Sequence, residues 1–311
     1  MPFGISRDHR VAQIWRSRMS PLTIIVMTLV TNPWADSIIS FDEGIGGSAG
    51  YNFPEAALGE PSRFTGENIW PGVVSPFNSP WLSDEIVSLG AGGSIVVSFA
   101  EPVQNDPANP WGIDLLIFNN TGCIDNAYPN GVVGGLYSDD GGLIEVSQNG
   151  KQWFSISTTF ADSLWPTRGY VDSQPYDAFE GTQLSDFTLP VDPRLTLDDA
   201  FLLDNDSLML LYRNSGGGTP IDIAETGLSS ISFVRVSVDL SSKLTPEIDG
   251  FADVSPQIPG DVNMDGVVDV IDLLELISAF GPFEINSPLS DFNGDYIIDV
   301  VDLLILIGNW S

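Results

Sequence analysis

A twelve-residue, aspartate-rich loop occurs twice near the C-terminus and constrains what this part of the chain can fold into. The copies are DVNMDGVVDVID at residues 261–272 and DFNGDYIIDVVD at residues 291–302, and each leads directly into a leucine-rich helical pattern. With an offset of thirty residues, the segments 261–281 and 291–311 agree at ten of their 21 positions. The C-terminal part of the chain is therefore an internal duplication of a loop followed by a helix.

The spacing of oxygen-bearing residues in both loops suits a cation of the size of calcium. Such an ion takes about six to eight oxygens, which a twelve-residue loop supplies from positions 1, 3, 5, 7, 9 and 12. The predicted ligands of the first loop are Asp261, Asn263, Asp265, the carbonyl of Val267, Asp269 (directly or through water) and Asp272. Those of the second loop are Asp291, Asn293, Asp295, the carbonyl of Ile297, Asp299 and Asp302. The sequence thus predicts two Ca²⁺ sites.

The two loops differ at position 6, where the backbone turns sharply. A residue that adopts positive φ is favoured there, and Gly266 meets this requirement in the first loop. The second loop has Tyr296 at this position, with Gly294 two residues earlier. We therefore expect the second loop to bind calcium more weakly than the first.

The loops also differ from an ordinary EF-hand, because Asp272 and Asp302 stand where that motif ends in Glu and only one helix accompanies each loop. Together with Pro259-Gly260 before the first loop and Asn309-Trp310 after the second helix, these features resemble a type I dockerin. The resemblance covers about fifty residues, from Pro259 to Trp310. It implies calcium-dependent folding and docking to a cohesin on another protein.

Loop positions 10 and 11 are the predicted partner-binding residues. In many dockerins they are a Ser-Thr pair that hydrogen-bonds the cohesin, whereas here they are Val270-Ile271 and Val300-Val301. The resemblance thus implies two similar apolar patches, related by an approximate two-fold axis, that dock by burial in either of two orientations. The alternative is that these β-branched side chains pack inside the module.

The helix after each loop has apolar residues spaced i, i+3 and i+4. They are Leu273, Leu274, Leu276, Ile277 and Phe280 in the first copy and Leu303, Leu304, Leu306, Ile307 and Trp310 in the second. Because helices this short depend on tertiary packing, we expect each helix to pack against its repeat. Leu274 and Leu304 are predicted to lie buried at that interface.

The N-terminal residues 1–35 read as a signal peptide. Four arginines precede an apolar run from Pro21 to Thr31, and NPWADS follows. The run is about half of the ~20 residues that a membrane-spanning helix needs, so a retained anchor is the weaker interpretation. Cleavage after Ala35 fits the pattern, although Pro33 replaces the usual small residue at the −3 position. The predicted location is secreted or at the cell surface.

Residues 37–254 read as one β-rich domain, because short apolar runs alternate with turn residues throughout. Asn149-Gly150, between two alternating runs, predicts a type I′ hairpin. Residues 255–260 form a short linker to the C-terminal module at 261–311, and the two modules are expected to lie close together. The predicted strands are Ser37–Phe41, Ile86–Leu89, Ser94–Phe99, Asp114–Phe118, Leu143–Ser147, Gln152–Ile156, Leu208–Tyr212 and Ile231–Leu240.

Stretches such as FDEGIGGSAGYNFPEAALGEPS, DLLIFNN and IEVSQNGKQWFSI resemble a family of secreted bacterial surface proteins of unknown biochemical role. The resemblance implies a jelly-roll-like β-sandwich of the galactose-binding type. Fold alone does not assign a function.

Composition excludes several classes of function. The net charge of −31 argues against nucleic acid and anionic membranes as partners. His9, in the predicted signal peptide, is the sole histidine, which removes Ser-His-Asp, Cys-His and HExxH chemistry from the mature protein. The lone Cys123 is expected to be a buried structural thiol. A glycosidase-type carboxylate pair stays open, but no two acids stand out as catalytic.

Three functions are therefore open at this stage. The first is a non-catalytic secreted β-sandwich that binds a glycan or surface component and is docked by a calcium-loaded module onto a scaffold or cell surface. The second is a polysaccharide-degrading glycoside hydrolase, and the third is a purely structural surface protein. Five tryptophans in or near turns could stack on sugars or close the core: Trp70, Trp81, Trp111, Trp153 and Trp165.

Overall fold

Antiparallel strands form most of the regular structure of this chain. The structure is a computed structural model that describes residues 32–66, 72–263, 266–282, 290–293 and 297–311. Its strands are β1 (Ser37–Asp42), β2 (Val87–Ser88), β3 (Ser94–Gln104), β4 (Leu115–Asn119), β5 (Gly122–Asp125), β6 (Val133–Tyr137), β7 (Leu143–Ser147), β8 (Phe154–Ile156), β9 (Thr219–Ile221), β10 (Ser230–Ser237), β11 (Glu247–Asp253), β12 (Gly281–Pro282) and β13 (Ile297–Ile298). Its α-helices are α1 (Leu197–Ala200), α2 (Asn205–Tyr212), α3 (Val270–Ser278) and α4 (Val300–Gly308).

Two sheets pack face to face around the main core. One has the strand order β1-β3-β10-β7-β8, and the other has the order β2-β11-β4-β9. Because side chains alternate across a strand, each sheet contributes one apolar face to the core. The predicted mainly β sandwich is therefore confirmed. Its buried core includes Ile95, Val97, Ile144, Val146, Val234 and Val236 from the first sheet and Leu115, Ile117, Ile248 and Phe251 from the second.

Seven of the eight predicted strands correspond to β1–β4, β7, β8 and β10, and the eighth is wrong. Residues 208–212 lie in helix α2, whose N-terminus is capped by Asp204: its carboxylate accepts a hydrogen bond from the Ser207 backbone N–H at 2.9 Å. Leu208, Leu211 and Tyr212 are buried. Their i, i+3, i+4 spacing fits one face of a helix, but a five-residue apolar run is too short to reveal that period.

The predicted hairpin at Asn149-Gly150 is confirmed, but its turn is not the two-residue type I′ turn. Strands β7 and β8 pair in antiparallel register, with Ile144 opposite Ile156, and the loop between them spans residues 148–153. Of the two turn residues, only Gly150 has a positive φ. The Asn149 Oδ1 atom instead accepts hydrogen bonds from the backbone N–H groups of Lys151 and Gln152, at 2.9 and 3.0 Å. The asparagine side chain therefore caps a longer loop.

The residues just before β1 pack into the sandwich. The Ala35 N–H donates to the Phe251 carbonyl at 3.1 Å, and Ala35 is fully buried. The Asp253 N–H donates to the Pro33 carbonyl at 2.7 Å. The Trp34 ring meets Phe187 edge-on at 6.3 Å. The other residues of the predicted signal peptide, 1–31, lie outside the described residues.

The duplicated C-terminal segment forms a small helical module. Strand β12 pairs with β13 and thereby joins the two copies. The chain ends against the first loop, because the Ser311 N–H donates to the Val268 carbonyl at 3.1 Å and Ser311 Oγ accepts from the Val268 N–H at 2.9 Å. The buried core of this module is Val262, Val268, Leu276, Ile298 and Leu306.

The linker runs along the sandwich. The Ser255 N–H donates to the Thr188 carbonyl at 3.1 Å, and the Gln257 N–H donates to the Ala108 carbonyl at 3.2 Å. These backbone hydrogen bonds fix the direction in which the chain enters the C-terminal module.

Candidate metal centre and docking surface

Asp272, at position 12 of the first loop, holds both ends of that loop. Its Oδ1 atom accepts hydrogen bonds from the backbone N–H groups of Val262 at 2.7 Å and Asn263 at 3.1 Å. Its Oδ2 atom accepts from the Asp269 N–H at 2.8 Å. The side chain is fully buried. The last predicted ligand of the loop is thus fixed against the first residues of the same loop.

Asp261, at position 1, is tied to the turn at position 6. The Gly266 N–H donates to the Asp261 Oδ2 atom at 2.8 Å. Gly266 has φ +86°, and a Cβ atom added there would meet nothing within 4 Å. The left-handed backbone, rather than a lack of space, therefore explains the glycine at this position.

The second loop repeats this arrangement. Asp302 accepts hydrogen bonds from the N–H groups of Phe292 at 2.8 Å, Asn293 at 3.4 Å and Asp299 at 2.9 Å, and it is fully buried. Asp265 of the first loop and Gly294, Asp295 and Tyr296 of the second lie outside the described residues. The position 5 ligands and the weaker binding of the second loop therefore stay predictions.

The ligand at position 9 of each loop also starts the helix that follows. The Asp269 Oδ1 atom accepts a hydrogen bond from the Ile271 N–H at 2.7 Å, and Asp299 does the same for Val301 at 2.7 Å. In both copies the aspartate three residues later completes a capping box. Positions 9 and 12 thus serve both the loop and the helix, which is why each loop leads directly into a helix.

The chemistry of the donors fits a hard cation. The described candidate ligands are aspartate carboxylates, asparagine amides and backbone carbonyls, and they include neither nitrogen nor sulfur ligands of the kind that zinc prefers. In the first loop the structure brings Asp261, Asn263, Asp269 and Asp272 together through the hydrogen bonds described above. These residues would hold Ca²⁺ through oxygen, and an ion there would offset the repulsion among the carboxylates.

The apolar residues at loop positions 10 and 11 are exposed. Val270 and Ile271 in the first copy expose 54% and 48% of their surface, and Val300 and Val301 in the second expose 56% and 43%. The alternative in which these side chains pack inside the module therefore does not describe this structure. The exposed apolar stripe continues through Leu274 and Ile277 on α3 and Leu304 and Ile307 on α4. It also includes Phe280 and Trp310, which lie two residues beyond the ends of these helices.

The prediction that Leu274 and Leu304 are buried at the repeat interface is wrong. Each exposes 63% of its surface, and Leu276 and Leu306 are the fully buried leucines of the two helices. Both helices are apolar around most of their circumference, so sequence periodicity does not tell which stripe faces the core. Leu274 and Leu304 therefore belong to the exposed surface, whereas Leu276 and Leu306 of the same apolar pattern form the core.

Two arginines of the sandwich reach the C-terminal module. The Arg213 Nη1 atom donates to the Val262 carbonyl at 3.0 Å. Arg194 pairs with Asp192 at 2.8 Å and lies 3.5 Å from the Oδ2 atom of Asp291, the predicted first ligand of the second loop. The predicted close coupling of the two modules is thus visible as direct contacts at the start of both loops.

The sandwich contains a cluster of acids that the sequence did not indicate. Carboxylate oxygens of Asp140, Asp162 and Glu247 all lie within 4.8 Å of one another. Burial raises the pKa of Asp162 well above its usual value, and nearby Glu247 and Asp140 add to this effect. Burial likewise raises the pKa values of Glu247 and Asp140. The three residues are far apart in sequence and match no motif, so only the fold brings them together.

The other candidate side chains of the sandwich are mostly structural. Cys123 is buried, and burial raises the pKa of its thiol to about 12, as expected for an unreactive cysteine. Trp165 is buried, and Trp153 stacks with the Arg235 guanidinium at 4.3 Å. Trp111 is half-buried, Trp70 lies outside the described residues, and Trp81 is 45% exposed.

Comparison with known proteins identifies the C-terminal module. Residues 259–309 match the family model of the dockerin type I domain, which confirms the resemblance drawn from the two loops. Dockerins of this type bind calcium and dock to cohesins as extracellular modules, so the C-terminal end of this chain is a calcium-binding docking module. No curated protein matches the chain. Among the described residues, no helix is long and apolar enough to cross a membrane.

Proposed function

We propose that this chain is an exported protein whose C-terminal module binds two Ca²⁺ ions and docks a non-catalytic β-sandwich onto a cohesin-bearing scaffold or cell surface. The observation that carries the proposal is the pair of matching exposed stripes on α3 and α4. Each copy presents apolar side chains in the same order, starting with Val270-Ile271 in one and Val300-Val301 in the other.

The calcium part of the proposal is supported by the repeated loop geometry. In both copies the position 12 aspartate is fully buried and accepts hydrogen bonds from the start of its own loop. A buried carboxylate surrounded by further acids favours a bound cation. We assign one ion to each loop, with the ligands predicted from the sequence at positions 1, 3, 5, 7, 9 and 12.

The docking part is supported by the amount and symmetry of the exposed apolar surface. A soluble domain rarely keeps such a continuous stripe uncovered, and large exposed patches mark interaction sites. The two stripes have nearly the same composition, so either copy can face the partner in the same way. Docking in two orientations, driven mainly by burial of apolar surface, follows from this symmetry.

In this proposal the β-sandwich is the module that the C-terminal docking module attaches to the scaffold or cell surface. Trp81 is 45% exposed, more than the other sandwich tryptophans within the described residues, and it offers a platform on which a sugar ring can stack. A panel of polysaccharides in affinity electrophoresis tests glycan binding, with Trp81→Ala as the variant and Trp153→Ala as the matched control. Equal retardation of all three proteins by every polysaccharide would contradict a glycan site at Trp81.

Calcium removal tests the proposed function directly. We expect the full chain to lose the helical circular dichroism of α3 and α4 in chelator and to recover it when calcium is added, because folding of the module is coupled to ion binding. Binding to a cohesin domain, measured by calorimetry, should disappear and return together with this signal.

The loop variant combines Asp261→Asn with Asp291→Asn and removes one charge from each loop. The control combines Asp198→Asn with Asp206→Asn and removes the same number of charges from the sandwich. The loop variant should need more calcium for both signals, and the control should behave as the parent. Helix content and cohesin binding that do not change on chelation would contradict the proposal.

A further inference from the structure

The C-terminal module has an extreme imbalance of charge. Residues 261–311 contain ten aspartates and glutamates and no lysine, arginine or histidine. Eight of these acids lie within the two loops, where they repel one another. The positive charge that offsets this repulsion therefore comes from bound ions or from side chains outside the module.

Two arginines of the sandwich bring positive charge to the start of the two loops. Cationic side chains are scarce in this chain, because only seven lysines and arginines follow residue 31. Arg194 lies just before α1 and contacts the second loop at Asp291. Arg213 follows α2 and contacts the first loop at Val262. Each loop thus meets a guanidinium group of the sandwich.

Arg194 is held in place by an aspartate of the sandwich. Its Nε atom donates to the Asp192 Oδ1 atom at 3.0 Å, and its Nη2 atom donates to the Asp192 Oδ2 atom at 2.8 Å. Asp192 is buried. Such a bidentate pair fixes the plane of the guanidinium group. The Nη1 atom is the one that reaches the C-terminal module.

The contact with Asp291 involves a predicted calcium ligand. The Arg194 Nη1 atom lies 3.5 Å from the Asp291 Oδ2 atom, at position 1 of the second loop. The Asp291 side chain is fully buried, and the Arg194 side chain is 23% exposed. Because water reaches this pair poorly, its charges are screened less than those on an open surface. A cation held by the same carboxylate is repelled by the guanidinium group, since both are positively charged.

The contact with the first loop has a different character. The Arg213 Nη1 atom donates to the carbonyl of Val262 at 3.0 Å, and this neutral group is not among the predicted ligands. The same peptide unit carries the Asn263 N–H, which donates to the Asp272 Oδ1 atom at 3.1 Å. A guanidinium group on the carbonyl polarises the peptide and strengthens this N–H donor. Arg213 thus supports the loop backbone, whereas Arg194 pairs with a ligand.

We propose that Arg194 competes with calcium for Asp291 and thereby lowers the calcium affinity of the second loop in the full chain. The inference rests on the proposed function, because it requires one Ca²⁺ in each loop. Its effect adds to the weaker binding expected from Tyr296, but it comes from the sandwich instead of from the loop itself. The first loop fills at lower calcium, and the sandwich raises the concentration at which the second loop fills.

The test uses the full chain and single variants that differ in one positive charge. Arg194→Gln removes the competing charge, and Arg194→Lys keeps it. Lys151→Gln is the matched control, because it removes a positive charge from the exposed loop between β7 and β8. Calorimetry measures the affinities of the two calcium sites. Asp261→Asn, added to the parent and to Arg194→Gln, weakens the first loop and so identifies the binding event of the second.

We expect Arg194→Gln to bind calcium in the second loop about three- to tenfold more tightly than the parent. The gain should shrink in about 0.5 M salt, because the Arg194 side chain is partly exposed. Arg194→Lys and Lys151→Gln should bind as the parent does. An unchanged affinity in Arg194→Gln would overturn the proposal, and so would a weaker one, which would show that Arg194 positions Asp291 for the ion. A parent that binds no calcium would contradict the proposed function as well.

A second comparison covers the stability of the sandwich. Arg194→Gln leaves the buried Asp192 without its guanidinium partner, which is expected to destabilise the fold. Asp192→Asn alone and Asp192→Asn with Arg194→Gln avoid this unpaired charge, and tryptophan fluorescence melts report whether they are folded. The double variant should bind calcium in the second loop more tightly than Asp192→Asn. Equal affinities in these two folded proteins would also overturn the proposal.

Discussion

At the scale of single residues, Asp249 makes the stability of the sandwich depend on pH. The side chain is buried on β11, where it accepts hydrogen bonds from the Ser62 N–H at 2.9 Å and the Ser62 hydroxyl at 2.8 Å. Burial is the main cause that raises the pKa of Asp249 to about 7. Folding therefore favours the protonated form of this carboxyl group over a wide range of pH.

The sign of the effect follows from this raised pKa. The stability that the neutral carboxyl group contributes is fully present below the pKa of the unfolded chain and is lost as the pH rises to about 7. The variant Asp249→Asn mimics the neutral acid at every pH. We expect its free energy of unfolding relative to that of the parent to increase by about 1 to 3 kcal/mol when the pH is raised from about 5 to about 8. Denaturant unfolding at the two pH values measures this difference. A constant difference at both values would contradict the prediction, and Asp36→Asn, at the exposed Asp36, is the surface control.

Residues 33–35 lead to a prediction about the mature N-terminus. Ala35 is fully buried, and Pro33 and Ala35 hydrogen-bond to β11 through their backbones. We therefore expect signal cleavage before Pro33 instead of after Ala35, and N-terminal sequencing of the exported protein tests this. A chain that starts at Asp36 should melt several degrees below one that starts at Asn32, because it loses these contacts. Equal melting temperatures would show that residues 32–35 are dispensable.

At the scale of elements, the sequence predicted the strands of the sandwich better than its other features. Strands such as β10 alternate apolar and polar residues and bury one face, with Val234 and Val236 inside. This alternation can be recognised from the amino-acid sequence alone. The short helix α2 was missed, because its burial depends on a second core that includes Trp165 and Val191. The acid cluster was missed as well, because its members come from segments that only the fold brings together.

The two short helices of the dockerin module give a direct test of which leucines form the core. Leu276 is fully buried and Leu274 is 63% exposed on the same helix, so they form a matched pair. We expect Leu276→Ala to destabilise the calcium-loaded module by about 2 to 5 kcal/mol, because it leaves a cavity, and Leu274→Ala to change its stability by less than about 0.5 kcal/mol. Thermal melts in saturating calcium measure both effects. A larger loss for Leu274→Ala than for Leu276→Ala would show that the helix faces are assigned the wrong way round.

At the scale of the whole molecule, the two modules are close neighbours that contact each other through polar groups. Arg213 donates to the first loop at Val262, and Arg194 lies beside Asp291 of the second loop. The linker is likewise hydrogen-bonded to the sandwich through Ser255 and Gln257. The exposed stripes on α3 and α4 are therefore presented by a module with a fixed attachment, which lowers the entropy that docking must overcome.

The central claim is that two equivalent apolar stripes dock the chain onto its partner. The variants Val270→Asp with Ile271→Asp, and Val300→Asp with Val301→Asp, each charge one copy, and the quadruple variant charges both. These positions lie in the first turn of their helices, where aspartate is tolerated, so the module is expected to fold with calcium. Phe179→Asp, at the 84% exposed Phe179 of the sandwich, is the control.

Calorimetry with a cohesin domain in saturating calcium measures the claim most directly. Each double variant should bind about twofold more weakly than the parent, because only one of the two equivalent orientations is still available for docking. The quadruple variant should lose at least about 100-fold in affinity while its helical circular dichroism is retained, and Phe179→Asp should bind as the parent does. A folded quadruple variant that binds the cohesin as tightly as the parent would contradict the account.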